Sequence, residues 1–233
     1  MSGLLRIGHK GADLIAPGNT LGSFDAALAH GVHMIEFDIL PEHHDRPGEG
    51  RLLLAHDYEH VAGALELDAG LAHLASAPFA DVRLDVDLKL PGYEERVIDA
   101  LRTYGLIDRT LVSTMFMRSL VRLRELEPSL RLGWSVPRIK SGWAASPVVA
   151  VPGYGVLLYL RRRVVRAARA HLAAGRCDAV MAHYRLVTPA LVKAVREEGG
   201  ELYVWTVDDA DHIRRLERLG VTGVITNDPR LFL

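Results

Sequence analysis

Residues Val82–Thr114 read VRLDVDLKLPGYEERVIDALRTYGLIDRTLVST. The run opens with two-residue alternation, the period of a β-strand: Asp85, Asp87 and Lys89 share one face, and Leu84, Val86, Leu88 and Leu90 share the other. Pro91-Gly92 breaks the pattern. From Tyr93 to Tyr104 apolar residues recur at helical spacing, and Thr110–Thr114 returns to a short apolar, β-branched run. A strand, a helix and a second strand in so short a span form the βαβ unit of a parallel sheet.

The same unit repeats outward in both directions. Further strands are expected at Leu4–Gly8, His33–Leu40, Leu130–Val136, Ala179–Ala182, Glu201–Thr206 and Gly223–Thr226. Helices are expected at Thr20–His30, Arg118–Glu127, Val156–Ala174, Pro189–Glu198 and Asp209–Leu219. Thr188-Pro189 is a cap followed by proline at the first helical position, and Asp208 or Asp209 caps the last helix. Gly31, Gly199 and Gly220 stand just beyond helices, where a left-handed residue is wanted. Between Pro41 and Ala80 the pattern is irregular, with a short strand at Leu52–His56 and a short helix near Asp68–Ala75. Eight strands with intervening helices predict a single (β/α)8 TIM barrel over residues 1–233. An open doubly wound sheet, which spends fewer strands, is the alternative.

Composition narrows the function. With 28 Lys and Arg against 29 Asp and Glu, the net charge is -1, so the basic surplus that nucleic-acid binding needs is missing. The single cysteine, Cys177, makes no internal disulfide, and no signal peptide is read before Leu4; both fit a cytoplasmic protein. From Ser141 to Leu160 no residue is charged, and Arg161, Arg162 and Arg163 follow. Pro147, Pro152, Gly153 and Gly155 argue against a spanning helix, so the stretch reads as an apolar loop leading into a helix.

Alternation places Glu36 and Asp38 on the inner face of the second strand, with Ile35, Phe37 and Ile39 outward. It does the same for Asp85, Asp87 and Lys89 on the third. Carboxylates inside a barrel are costly unless paired or bound to a cation, and oxygen donors select hard ions such as Mg²⁺ or Ca²⁺. An interior ion pair between Asp87 and Lys89 is the simpler alternative, but four acidic groups exceed what one lysine neutralises. His9 and His56 each follow a strand beside turn residues, within reach of the barrel mouth and suited to acid/base work. His43 and His44, in a polar run, are expected to face solvent.

These residues carry a specific resemblance. The chain resembles the glycerophosphodiester phosphodiesterase family, whose pattern opens His-Arg-Gly and Pro-Glu-Asn-Thr, then Glu-x-Asp and His-Asp. Here the matches are His9-Lys10-Gly11, Pro17-Gly18-Asn19-Thr20, Glu36-Phe37-Asp38 and His56-Asp57. The family's Glu-x-Lys corresponds to Asp87-Leu88-Lys89, its Ser-Ser-Phe to Ser113 alone. Its closing signatures correspond to Trp205-Thr206-Val207-Asp208 and to Gly223 through Pro229.

The resemblance implies a phosphodiesterase barrel with one divalent metal ion, Mg²⁺ or Ca²⁺, held by Glu36, Asp38 and Asp87. It implies His9 and His56 as general acid and base, Lys10 and Lys89 against phosphate oxygens, and Trp205 against the glycerol moiety. The substrate implied is a small glycerophosphodiester, with a substrate hydroxyl attacking phosphorus to give a cyclic phosphate that water opens. The alternatives are a phospholipase D-like hydrolase of lysophospholipids and a catalytically silent barrel that binds a phosphorylated ligand.

Three positions depart from the family. Lys10 keeps charge but loses the planar fork of arginine. Gly18 removes a carboxylate from the Pro-Glu-Asn-Thr turn, and Asp87 is one methylene shorter than glutamate. The segment Trp143–Leu160, with Arg161, Arg162, Arg163 and Arg166 behind it, either folds onto the barrel or makes membrane-surface contact.

Overall fold

In the computed structural model, which describes residues 3–136 and 150–232, eight parallel strands close on themselves. They are β1 (Leu5–Gly8), β2 (Met34–Pro41), β4 (Arg83–Leu88), β5 (Thr110–Thr114), β6 (Arg131–Ser135), β7 (Ala179–His183), β8 (Glu201–Trp205) and β9 (Gly223–Thr226). A two-residue strand, β3 (Leu52–Leu53), adds antiparallel to the end of β2. The helices are α1 (Leu21–Ala29), α2 (Leu67–Leu74), α3 (Glu94–Thr103), α4 (Met117–Leu126), α5 (Ala150–Ala173), α6 (Pro189–Glu197) and α7 (Ala210–Leu219). β1 pairs with both β2 and β9, so the sheet has no free edge. The expected (β/α)8 barrel is therefore present, and the open sheet is excluded.

Alternation along each strand builds two cores. Outward residues such as Ile35, Phe37, Ile39, Leu84, Val86 and Leu88 join the helices in one apolar shell. Inward residues Ile7, Met34, Leu111, Ala179, Met181, Tyr203 and Ile225 fill the barrel itself. The filling is tight: a Cβ added to Gly133 would come within 2.9 Å of Leu111 Cδ2 and 3.0 Å of Ser113 Cβ. At the N-terminal end of the barrel Arg131 pairs with Glu201, which also accepts a 2.5 Å bond from the Tyr203 hydroxyl. The interior is packed and the open end lies at the strands' C-termini.

The expected caps are in place. Thr188 accepts from the Leu191 amide ahead of Pro189, Asp209 accepts from the His212 amide, and Gly220 ends α7 at φ 86°.

One boundary differs. Residues 141–149 of the expected apolar loop lie outside the described residues, but from Ala150 onward the chain is helical, six residues earlier than Val156. Pro152 falls in the first turn of α5, where backbone N–H groups have no partner within the helix, so proline there breaks nothing. Among the described residues no helix is long and apolar enough to cross a membrane.

Candidate active site

The register of β2 against β4 sets Glu36 beside Asp85 and Asp38 beside Asp87, so the carboxylates stack in two levels of the barrel interior. Glu36, Asp38 and Asp87 each bring a ligand oxygen within 4.8 Å of the others. Lys89 reaches into this ring: its ammonium lies 2.5 Å from Asp38 Oδ1 and 2.5 Å from Asp87 Oδ2. The simple interior ion pair thus exists, and it spans two carboxylates. It leaves Glu36 and Asp85 without a cation of their own.

Two loops fix the ring. Asn19 donates from Nδ2 to Asp38 Oδ2 at 3.0 Å and accepts from the Asp38 amide at 3.1 Å, gripping the residue from side chain and backbone. The Lys10 amide donates to Glu36 Oε2 at 2.9 Å. Both gripping residues have positive φ, Lys10 at 50° and Asn19 at 59°. For a lysine this is an uncommon conformation, held by the turn around it.

His9 and His56 flank the ring from different sides. His9 Nε2 lies 3.8 Å from Glu36 Oε2, and His56 Nδ1 lies 3.3 Å from Asp38 Oδ2. The His56 side chain is 47% exposed, at the lip of the mouth. His9 is oriented from the far end of the chain. Asn227 donates from Nδ2 to Asp208 Oδ2 at 2.7 Å, so its Oδ1 must face His9 Nδ1, 2.5 Å away. An amide oxygen only accepts, so Nδ1 carries the proton and Nε2 turns its lone pair to the carboxylates. Burial holds the His9 pKa below its ordinary value, against the bond to Asn227 and the charge of Asp38. The neutral ring is favoured.

The carboxylates divide. Burial, aided by Asp38, raises Glu36 well above the usual carboxylate range. Burial also pushes Asp85 up to about 8, against the opposing pull of the neighbouring Ser113 hydroxyl. Burial opposes ionisation of Asp38 too, but Lys89 and His56 outweigh it and hold that group well below the usual range. Asp87 and Asp38 likewise outweigh burial at Lys89 and keep its ammonium charged. The interior has more carboxyl groups than resident positive charge, and the surplus is held as neutral acid.

The remaining expected residues surround this centre. Trp205, at the end of β8, meets the His183 ring edge-on at 5.2 Å, and His183 stacks on Tyr184 at 4.3 Å. The Lys10 side chain turns to Asp13, 3.4 Å away. Asp13 also accepts from the Gly18 amide at 2.9 Å, and a Cβ on Gly18 would come within 2.5 Å of its carboxylate. The carboxylate that Gly18 removed from the turn is thus matched by one from Asp13, in the space that glycine leaves open. Sequence alone points to no site role for Asn19, Asn227 or His183, and it offers Asp208 only as a helix cap and as part of a motif. Asn19 and Asn227 sat inside quoted motifs, and their amides were the available signal.

A family-wide sequence pattern, the glycerophosphoryl diester phosphodiesterase family, matches residues 89–231. The chain belongs to that family. This makes it a member of a group of phosphoric diester hydrolases. A glycerophosphodiester phosphodiesterase from Caldanaerobacter subterraneus is 25% identical over 98% of this chain and 96% of its own length. A putative glycerophosphoryl diester phosphodiesterase from Silicibacter pomeroyi superposes with a TM-score of 0.75 at 20% identity, covering 99% of this chain and 92% of that one. An Oleispira antarctica phosphodiesterase, solved with the product sn-glycerol-3-phosphate, superposes with a TM-score of 0.71 at 18% identity, covering 98% and 94%. These two structural likenesses support the family barrel fold.

Proposed function

We propose that this member of the glycerophosphoryl diester phosphodiesterase family hydrolyses glycerophosphodiesters to an alcohol and glycerol 3-phosphate, with a divalent cation and two histidines. The observation that carries the reading is the placement of His9 and His56 against different carboxylates of one buried ring. The donor set fits a hard cation: three carboxylates, all oxygen, whose ligand atoms lie within 4.8 Å of one another. Glu36, Asp38 and Asp87 would hold the ion, Mg²⁺ or Ca²⁺. When bound it would supply positive charge for the non-bridging phosphate oxygens.

The chain's own residues supply the rest. His9, neutral and with Nε2 unprotonated beside the carboxylate ring, takes the proton of the attacking substrate hydroxyl. His56, at the lip, gives a proton to the leaving alcohol; when water opens the cyclic phosphate, His56 takes a proton from the water and His9 returns its own to the substrate oxygen. Lys89 keeps a positive charge at the ring and faces the phosphate. Trp205, with His183 and Tyr184, walls the side opposite the carboxylates, where an apolar glycerol face fits. Asn227 acts on His9 alone, by fixing its tautomer.

The test is release of glycerol 3-phosphate from glycerophosphocholine and related diesters with Mg²⁺, Ca²⁺ or Mn²⁺. Turnover that EDTA abolishes and that His9→Ala removes is the expected result. No turnover with any of the three ions, while phosphate ligands still raise the melting temperature, would make this a binding barrel instead.

A further inference from the structure

Large exposed apolar side chains on this protein are gathered at one end. Of the seven among the described residues, Leu14, Ile15, Met115, Val156, Leu158 and Tyr159 all follow the C-terminal ends of barrel strands, and Val121 alone lies elsewhere. Leu14 is 60% exposed and Tyr159 is 58% exposed. Leu14 and Ile15 stand in the loop after β1, Met115 follows β5, and the other three are on α5 after β6. In the ring order β1 and β6 face each other, so apolar side chains flank the mouth from opposite sides. Scattered exposed apolar residues need no explanation; a rim of them around one opening does.

α5 adds length and charge to this rim. It has 24 residues, about 36 Å, against 10 in α4 and 9 in α6, about 15 Å each. Among its described side chains the first buried one is Val164, and the surplus lies at its N-terminal, mouth-side end. Apolar Val156, Leu158 and Tyr159 are followed there by Arg161, Arg162, Arg163 and Arg166, with Arg185 beside them. Arg161 donates to the Arg185 carbonyl at 3.1 Å, and the Arg163 guanidinium lies 5.7 Å from the Tyr159 ring centre. Among the described residues none of these five arginines has a carboxylate partner. Farther down the same helix Arg169 pairs with Glu197 and Glu198.

The geometry points to the mouth rim as a docking face for an anionic phospholipid bilayer, with Val156, Leu158 and Tyr159 entering the headgroup layer and the unpaired arginines meeting lipid phosphates behind them. Apolar tip, aromatic ring and arginine collar follow one another in the order of a membrane's own polarity profile. A second copy of this chain fits less well, since it would bring five like charges against five.

Sedimentation with vesicles tests this without any turnover, so its outcome is separate from that of the phosphodiesterase reading. Phosphatidylcholine vesicles containing phosphatidylglycerol should pellet the protein, pure phosphatidylcholine vesicles far less, and added salt should weaken the effect. Arg162→Ser and Arg163→Ser should each weaken binding about fivefold. Leu158→Ser with Tyr159→Ser should abolish it, leaving the melting temperature and hydrolysis of short soluble diesters unchanged. Three results overturn the proposal: no pelleting with anionic vesicles, variants that pellet like the parent, or a dimer that Leu158→Ser dissociates without any vesicle binding.

Discussion

Replacing Lys89 by methionine keeps the length of the side chain and removes one buried charge. That charge lies 2.5 Å from oxygens of both Asp38 and Asp87, and Asp38 is fully buried. Removing one side of a buried ion pair costs about 3–5 kcal/mol, because the other side keeps its desolvation penalty. A chain of this size loses about 2–4 °C of melting temperature per kcal/mol, so the metal-free variant should melt roughly 6–20 °C lower. The deficit has a pH signature. With Lys89 present the Asp38 pKa is depressed, a contribution present above its unfolded value and lost as pH falls through the folded one. Without Lys89 burial dominates, the folded pKa rises above the unfolded value, and the folded state binds the extra proton. Stability of the variant should then fall as pH rises above the unfolded carboxylate value of about 4, widening its deficit. A divalent cation restores positive charge to the ring, so saturating Mg²⁺ or Ca²⁺ should raise the melting temperature of the variant more than that of the parent. Thermal melts at two pH values, with and without metal, measure all of this. Equal melting of the two proteins, or equal response to metal, would refute a ring whose charge Lys89 balances.

Asp85→Asn should stabilise the protein increasingly as pH rises. The wild-type carboxyl, pushed up to about 8, keeps a proton that the unfolded chain gives up, at about 1.4 kcal/mol per pH unit; urea unfolding at pH 5 and pH 8 would show parallel curves if Asp85 were not buried as acid. Metal binding should release protons and tighten with pH, because raised Glu36 must ionise to act as a ligand; calorimetry in buffers of different ionisation enthalpy counts them, and a pH-independent affinity would exclude Glu36 from the ligand set. Gly133→Ala should cost about 1–3 kcal/mol by crowding Leu111 and Ser113 inside the barrel, measured by denaturant midpoint with an unchanged slope.

The fold was legible because its signal is periodic. Alternation in residues 82–90 and helical spacing in 93–104 report which face is buried, and burial is what closes the barrel. The acidic ring was legible for the same reason, since a carboxylate at an inward position is an exception to the pattern. What holds the ring was not legible. Asn19 and Asn227 act by the direction of an amide, and that direction depends on distant partners, Asp38 on β2 for one and Asp208 in the loop after β8 for the other. Asp13 filling the space beside Gly18 is equally invisible, because the sequence shows a missing side chain without showing what moves into its place. The start of α5 is not legible because Pro152 and Gly153 look like helix breakers in sequence, whereas in the first turn a proline interrupts no intrahelical hydrogen bond.

His9, just past the first strand, takes its orientation from Asn227, just past the last. Every carboxylate of the acidic ring lies before residue 90, whereas the residue that sets the His9 tautomer comes after residue 226. Until the final strand arrives and meets β1, the imidazole has nothing to fix its tautomer. The two ends of the chain are thus tied at the point where the barrel closes, so the tautomer of His9 reports whether β1 and β9 are joined.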